Sequence, residues 1–173
     1  MYKRQSILRA VEEKKLASKL SVFDKSSHVN SYLKKNFSSE VCSNISEAVI
    51  DSDLTIIASP LSSYKEILLS IKANLKKDSI LTDTGSAKKE VNKIIKNISL
   101  DNIHWIASHP IAGTEYSGPE AGFSELFKNR WCILSTDKEV SKSKISKLEE
   151  FWIKLGSKTK FMSFDDHDYV LSL

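Results

Sequence analysis

Short apolar runs alternate with amphipathic stretches along this chain of 173 residues, and this alternation constrains its fold more than any other feature. The run LTIIA at 54–58 is rich in β-branched residues, which is typical of a strand buried on both faces. Similar runs predict strands at 21–23, 41–43, 79–83, 103–108, 131–135 and 159–162. Apolar residues at helical spacing predict helices at 6–20, 29–37, 64–75, 88–98, 141–155 and 165–173, with a helical turn at 46–51. This order indicates an α/β fold: a doubly wound, mostly parallel sheet with helices on both faces.

Composition and charge narrow the classes of function. With 40% hydrophobic and 28% charged residues and a net charge of +4, the chain can bury one sizeable core. Basic residues are interspersed with acidic ones and form no block with aromatic residues, so we expect no nucleic-acid partner. There is no run of about 18 apolar residues to cross a membrane, and the first residues lack the apolar segment of a secretory signal. Cys42 and Cys132 lie far apart outside any CxxC motif, which favours buried thiols in a reducing cytoplasm over a disulfide or a metal site.

Polar residues at the predicted strand ends are the candidates for ligand binding, because ligands of parallel sheets bind outside the carboxyl ends of the strands. In a dinucleotide-binding fold, a carboxylate such as Asp24 accepts hydrogen bonds from the adenosine ribose; alternatively, Asp24 caps the next helix. Gly85 permits a tight turn, and Ser86 either caps a helix or points into the cleft. We expect one edge of the sheet to carry Asp24, Ser59, Thr84, Gly85, Ser86 and His109.

His109 is the candidate general base. It ends a predicted strand, is followed by Pro110, and opens the glycine-rich segment HPIAGTEYSGPEAGF at 109–123. The ordinary pKa of histidine lies in the working range of an acid–base catalyst. A histidine taken alone is more often structural, but the adjoining loop favours a catalytic role here. His167, within the run DDHD, is left open between a helix-capping neighbourhood and a functional role.

Four segments together resemble the prephenate/arogenate dehydrogenase family, the NAD(P)-dependent enzymes of tyrosine biosynthesis. They are TDTGSAKK at 82–89, HPIAGTEYSGPEAGF at 109–123, LFKNRWCILS at 126–135 and DDHDYVLSL at 165–173. The resemblance implies a Rossmann-like nucleotide-binding domain at 6–164 and the start of a helical dimerisation domain at 165–173. It also implies a homodimer that oxidatively decarboxylates a small molecule, prephenate or arogenate, with hydride transfer to NAD or NADP.

The resemblance also implies roles for individual residues. His109 accepts the proton of the substrate hydroxyl, and Ser86 hydrogen-bonds in the same cluster, beside both substrate and nicotinamide. Thr114 and Glu115 belong to the substrate pocket. Asp24 favours NAD over NADP, a preference that the following Lys25 weakens. Contacts to the cofactor are implied for Asp24, Ser59, Pro60, Thr84, Gly85 and Ser86.

The sequence departs from the family in two ways. No glycine precedes Gly85, so the first strand with its glycine-rich turn is missing, and the helical domain would follow residue 173. We therefore expect a chain truncated at both ends, with unpaired strand edges between Asp24 and Ala58 where the first strand would lie. The alternative function is a non-catalytic fragment with little or no cofactor binding. A third hypothesis is a different small-acid dehydrogenase on the same fold.

Overall fold

The computed structural model describes residues 2–113 and 121–171 of the chain. Within these ranges the helices are α1 (Tyr2–Glu13), α2 (Ser27–Asn36), α3 (Tyr64–Ile71), α4 (Lys88–Ile98), α5 (Lys142–Lys154) and α6 (Phe164–Leu171). The strands are β1 (Ser21–Val22), β2 (Glu40–Val41), β3 (Leu54–Ile57), β4 (Ile80–Asp83), β5 (His104–Pro110), β6 (Trp131–Thr136) and β7 (Lys158–Phe161). Short 3₁₀ helices lie at Glu47–Val49, Leu61–Ser63 and Ser124–Phe127.

The helix predicted at 6–20 is wrong at its carboxyl end. α1 stops at Glu13 because Lys15 adopts a left-handed backbone conformation with φ of 52°, which no helix can continue. Leu16 and Leu20, which suggested a longer helix, still pack against the core as partly buried side chains of the connection to β1. Apolar spacing alone therefore overestimated the helix.

The predicted α/β architecture is confirmed. One sheet has five strands in the order β3-β4-β5-β6-β7, and β1 pairs with β2 in a separate parallel sheet. Neighbours in the larger sheet are parallel except β5 and β6, which are antiparallel. In the described part of the chain no α-helix lies between β5 and β6, and an antiparallel neighbour needs no helical crossover.

Helices cover both faces of the five-stranded sheet, as predicted. On one face, α1 and α5 pack through residues such as Ile7, Val11 and Trp152, together with Ile106 of β5. On the other face, α3 and α4 pack against Leu81, Trp105 and Ala107 among other residues. Successive side chains of β5 thus point into opposite layers, as strand geometry requires. His109 follows Trp105 and Ala107 at alternate positions, which directs it to the face that carries α4.

A cavity of about 530 Å³ separates β1 from β3. All four residues of Leu54–Ile57 line it, as do the consecutive residues 21–23. Because successive strand side chains point to opposite faces, a run of consecutive lining residues means that the backbone edge borders the cavity. The two edge strands therefore face each other across a gap at the position where the sequence analysis placed unpaired edges. Among the described residues, no helix is both long and apolar enough to cross a membrane.

Candidate active site

The carboxyl ends of β3, β4 and β5 are neighbours, because these strands are parallel and adjacent. Ser59 follows β3 and is half-buried, whereas Pro60 is exposed. Thr84 follows β4 and is buried. Along the same turn Gly85 is half-buried and Ser86 is exposed. These candidates therefore share an edge with His109 of β5, which is 9% exposed. Thr114 and Glu115 lie outside the described residues.

A buried ion pair anchors the turn between β4 and α4. The Nζ of Lys88 lies 2.6 Å and 2.5 Å from the two carboxylate oxygens of Asp83, and both side chains are almost fully buried. The Tyr64 hydroxyl and the N–H of Gly85 donate to Oδ2 of Asp83 at 3.1 Å and 3.0 Å, and the N–H of Ser108 donates to Oδ1 at 3.2 Å. Every oxygen of this buried carboxylate thus has a hydrogen-bond partner, as burial of a charge requires.

Burial shifts the pKa values of Lys88 and Tyr64, two titratable side chains that contact Asp83. It lowers the pKa of Lys88, an effect that the adjacent Asp83 carboxylate opposes. It raises the pKa of Tyr64, and the Asp83 charge raises it further, so the phenol keeps its proton and remains a donor. A Cβ on Gly85 would lie 3.1 Å from both the Asp83 carboxylate and the Tyr64 hydroxyl, so a side chain there would press on the network and require these groups to shift by a few tenths of an ångström.

A chain of hydrogen bonds connects His109 to the start of α4. The Nδ1 of His109 lies 2.9 Å from Nε2 of His167, and Nδ1 of His167 lies 2.7 Å from Oδ1 of Asp168. The Asp168 carboxylate in turn accepts the backbone N–H groups of Lys88 and Lys89, each at 2.9 Å. His167 is fully buried. Helix α6 thereby joins the end of β5 to the first turn of α4.

The electrostatics of this chain favour a neutral imidazole beside an ionised carboxylate. Burial lowers the pKa of His109 to about 3, and the nearby cations Lys88 and Lys3 add to the effect. Burial on its own raises the pKa of Asp168, but the hydrogen bonds from Lys89, His167 and Lys88 outweigh it and leave that pKa below its ordinary value. His109 is therefore unprotonated on one nitrogen at neutral pH and is able to accept a proton.

Asp24 lies at the end of β1, but its carboxylate is engaged within the chain. Arg4 of α1 lies 2.5 Å from Oδ2, and the N–H of Ser26 donates to Oδ1 at 2.9 Å. The cap of α2 is Ser26, whose hydroxyl accepts the N–H of Val29, so Asp24 is not the capping residue itself. In this arrangement, Arg4 neutralises part of the charge that Asp24 would offer to a ribose hydroxyl.

Sequence reasoning missed Asp83, Lys88, Tyr64 and Asp168, and left His167 open. One signal could have identified Lys88: it shares a helical face with Val91 and Ile95, an apolar stripe on which a lysine must have a buried partner. No comparable pattern marks Tyr64, because its hydrogen bond to Asp83 forms only when α3 packs against the end of β4. Cys42 and Cys132 are buried free thiols, as the sequence analysis expected. Among residues 2–113 and 121–171, no group of three or more His, Cys, Asp or Glu side chains could hold a metal ion.

Comparisons with known proteins identify the family to which this chain is similar. The family model "Prephenate dehydrogenase, nucleotide-binding domain" matches residues 7–161. A cyclohexadienyl dehydrogenase of Zymomonas mobilis is 36% identical over 155 residues, and a prephenate dehydrogenase of Lactococcus lactis is 30% identical over 122 residues. The matches cover 89% and 69% of this chain but only 53% and 32% of those proteins, so the chain spans about half the length of the first relative and a third of the second.

A solved structure supports the fold. The chain superimposes with a TM-score of 0.87 and 23% identity on the prephenate dehydrogenase of Aquifex aeolicus in complex with hydroxyphenyl propionate and NAD+. The superposition covers 99% of this chain and 60% of that one. The Rossmann-like fold inferred from the sequence is therefore confirmed.

Proposed function

Because the chain belongs to the prephenate dehydrogenase family and matches its nucleotide-binding domain, we propose that it forms the nucleotide-binding part of an NAD(P)-dependent prephenate or arogenate dehydrogenase. The reaction is an oxidative decarboxylation: hydride leaves the ring carbon that bears the hydroxyl, carbon dioxide is lost, and the ring becomes aromatic. Aromatisation supplies the driving force, so the protein mainly orients the reactants and withdraws the hydroxyl proton. When bound, the oxidised nicotinamide accepts the hydride.

The position of His109 at the carboxyl edge of the sheet, with its Nδ1 held 2.9 Å from Nε2 of His167, is the observation that carries this proposal. Its other ring nitrogen is proposed to accept the hydroxyl proton, and hydride departs more readily from a carbon whose hydroxyl is losing its proton. Ser86, exposed on the adjacent turn, is proposed to hydrogen-bond to the same hydroxyl. Thr114 and Glu115 are proposed to line the substrate pocket on the strength of the family motif.

The residues at the carboxyl edge of the sheet are proposed to contact the nicotinamide half of the cofactor rather than the adenosine half. Ser59, Pro60, Thr84 and Gly85 follow strands that end beside His109, which supports the proposal that they contact the nicotinamide ribose and the adjoining phosphates. Binding of the adenosine half is proposed to depend on Asp24, whose carboxylate is already paired with Arg4.

NAD is proposed as the preferred cofactor. A carboxylate at the position of Asp24 accepts the ribose hydroxyls and repels the 2′-phosphate of NADP. Lys25, which could attract that phosphate, lies 3.1 Å from the Glu66 carboxylate in an exposed ion pair. The opposing charge of Glu66 weakens the attraction of Lys25 for a phosphate.

The whole enzyme is proposed to act as a cytoplasmic homodimer. Helix α6 covers most of the segment 165–173, which the family resemblance assigns to the start of a dimerisation domain. Tyr169, Val170 and Leu171 are 71%, 48% and 43% exposed, and apolar side chains on one helix are typical of a surface that another element covers.

The test is a dehydrogenase assay on a complete enzyme, made by joining residues 6–173 of this chain to the parts of the Zymomonas mobilis relative that this chain does not cover. Reduction of NAD+ with prephenate or arogenate would be followed by absorbance. We expect His109→Asn to lower kcat by about 10²- to 10⁴-fold, since it removes the base but keeps the fold. His28→Asn, a change of the same type at an exposed position, is the matched control and should leave kcat unchanged. Full activity of His109→Asn would refute the role.

A further inference from the structure

We propose that His167 and Asp168 are positioning residues that hold His109 in a single tautomer, with the proton on Nδ1 and the lone pair on Nε2. The catalytic use of that lone pair rests on the proposed function. The tautomer itself is inferred from hydrogen bonds among described residues, and it can be tested independently of the reaction.

The direction of the hydrogen bonds is set at Asp168. A carboxylate only accepts hydrogen bonds, and this one already accepts two backbone N–H groups in the first turn of α4, where the helix dipole favours an anion. The His167 Nδ1 that lies 2.7 Å from Oδ1 must therefore be a donor. The tautomer of His167 is thus fixed by a group that cannot reverse its role.

The same logic carries over to His109. A neutral imidazole has one donor and one acceptor, so a His167 that donates from Nδ1 accepts at Nε2. The nitrogen 2.9 Å away is Nδ1 of His109, which must then donate. His109 consequently keeps its lone pair on Nε2, the nitrogen that points away from this bond, because the two nitrogens lie on opposite sides of the ring.

His109 needs a neighbouring hydrogen-bond acceptor to keep its proton on Nδ1. The isolated histidine side chain favours a proton on Nε2, which would leave a base with nothing to offer a substrate on that side. Two elements oppose this preference: α6 supplies the acceptor, and α4 fixes α6 through Asp168. Both imidazoles are buried, so water does not compete for Nδ1 of His109. A doubly protonated His167 would reverse the direction, and the experiment distinguishes that state.

The test is nitrogen-15 NMR of the histidine rings in the full 173-residue chain. Two-bond proton–nitrogen correlations separate the two neutral tautomers and the cation. Wild-type His109 should show a protonated Nδ1 and an unprotonated Nε2. His167→Phe removes the acceptor and should shift His109 at least tenfold toward the Nε2-protonated form. His167→Gln keeps a carbonyl that accepts from His109 and an amide that donates to Asp168, so it should restore the wild-type pattern.

Several outcomes would overturn the proposal. A wild-type His109 protonated on Nε2, a cationic His167, or a tautomer unaltered by His167→Phe would each do so. His104→Gln, which alters a half-buried imidazole paired with Asp78, is the control that should leave the His109 signals unchanged. If His167→Phe fails to fold, Asp168→Ala tests the same link, because it removes the carboxylate that sets the direction.

The joined enzyme provides a functional measurement that a structural role would not affect. We expect His167→Phe to lower kcat at least about tenfold with KM for NAD+ unchanged, and His167→Gln to recover most of it. A correct tautomer in an inactive wild-type enzyme would refute the proposed function and leave this inference intact. A reversed tautomer would refute this inference whatever the activity.

Discussion

At the scale of single residues, the site depends on one histidine being kept neutral. His109 is surrounded by charged and titratable groups from three helices: Lys3 of α1, Lys88 of α4, and His167 and Asp168 of α6. Burial and the cations make a charged imidazole unfavourable, and among the described residues Asp168 acts in the opposite direction. The sequence indicated the position of His109 but not this environment, because burial and the neighbours from α4 and α6 arise only on folding.

This environment predicts a pH dependence of stability. The pKa of His109 is about 3 in the folded chain, below the value near 6.5 of an unfolded histidine, so the unfolded state binds the extra proton first. The stabilising contribution is therefore present above pH about 6.5 and is lost as pH falls toward 3. Urea denaturation at pH 7 and pH 5 should show a smaller decrease in unfolding free energy for His109→Gln than for the wild type.

Other groups also titrate between pH 5 and pH 7. The quantity to compare is therefore the decrease in unfolding free energy of His109→Gln relative to that of the wild type. His28→Gln, at an exposed position, should retain the wild-type pH dependence. An identical decrease for wild type and His109→Gln would contradict the low pKa.

At the scale of elements, the buried Asp83–Lys88 pair holds the carboxyl end of β4 against the first turn of α4. Its two partners are only five positions apart, yet the pair forms because the turn at Gly85 folds back over the carboxylate. The sequence predicted this strand, the turn and the bounds of α4, since apolar periodicity and glycine are local signals. It could not predict that β6 runs antiparallel to β5, because strand direction depends on long-range packing.

Breaking this pair should be costly. Lys88→Met leaves a buried carboxylate without its cation, and we expect a loss of roughly 3–5 kcal/mol in the free energy of unfolding, measured by chemical denaturation. Lys96→Met is the matched control: its partner Asp137 lies 3.2 Å away in an exposed pair, so the loss should be at most about 1 kcal/mol. Equal losses of unfolding free energy for the two variants would show that the buried pair stabilises the fold no more than the exposed pair does.

At the scale of the whole molecule, the cavity between β1 and β3 divides the fold into two sheets. The alternation of strands and helices along the chain predicted the doubly wound architecture, and the family resemblance implied the position of this gap, because it places the missing first strand there. The sequence could not predict that Arg4 of α1 would engage Asp24, since that contact depends on how α1 packs against β1.

The Arg4–Asp24 contact predicts weak cofactor binding by this chain. Arg4 competes with the ribose hydroxyls for the Asp24 carboxylate, so we expect calorimetry of the 173-residue chain to give a Kd for NAD+ no tighter than about 1 mM. Arg4→Ala should bind several times more tightly than the wild type. Arg9→Ala, which alters an arginine bonded instead to Tyr32, is the control and should not improve binding. Micromolar affinity of the unaltered chain would contradict this reading.

The bond between Asp168 and the first turn of α4 ties the chemistry of His109 to the placement of α6. Of the hydrogen bonds that Asp168 accepts from described residues, two come from backbone N–H groups, which cannot reorient to follow a moving helix. A shift of α6 of about 1 Å would stretch these bonds beyond ordinary hydrogen-bond length and release His167 from its fixed orientation. Any partner that pulls on α6 would thereby act as a switch on proton acceptance some distance from the contact itself.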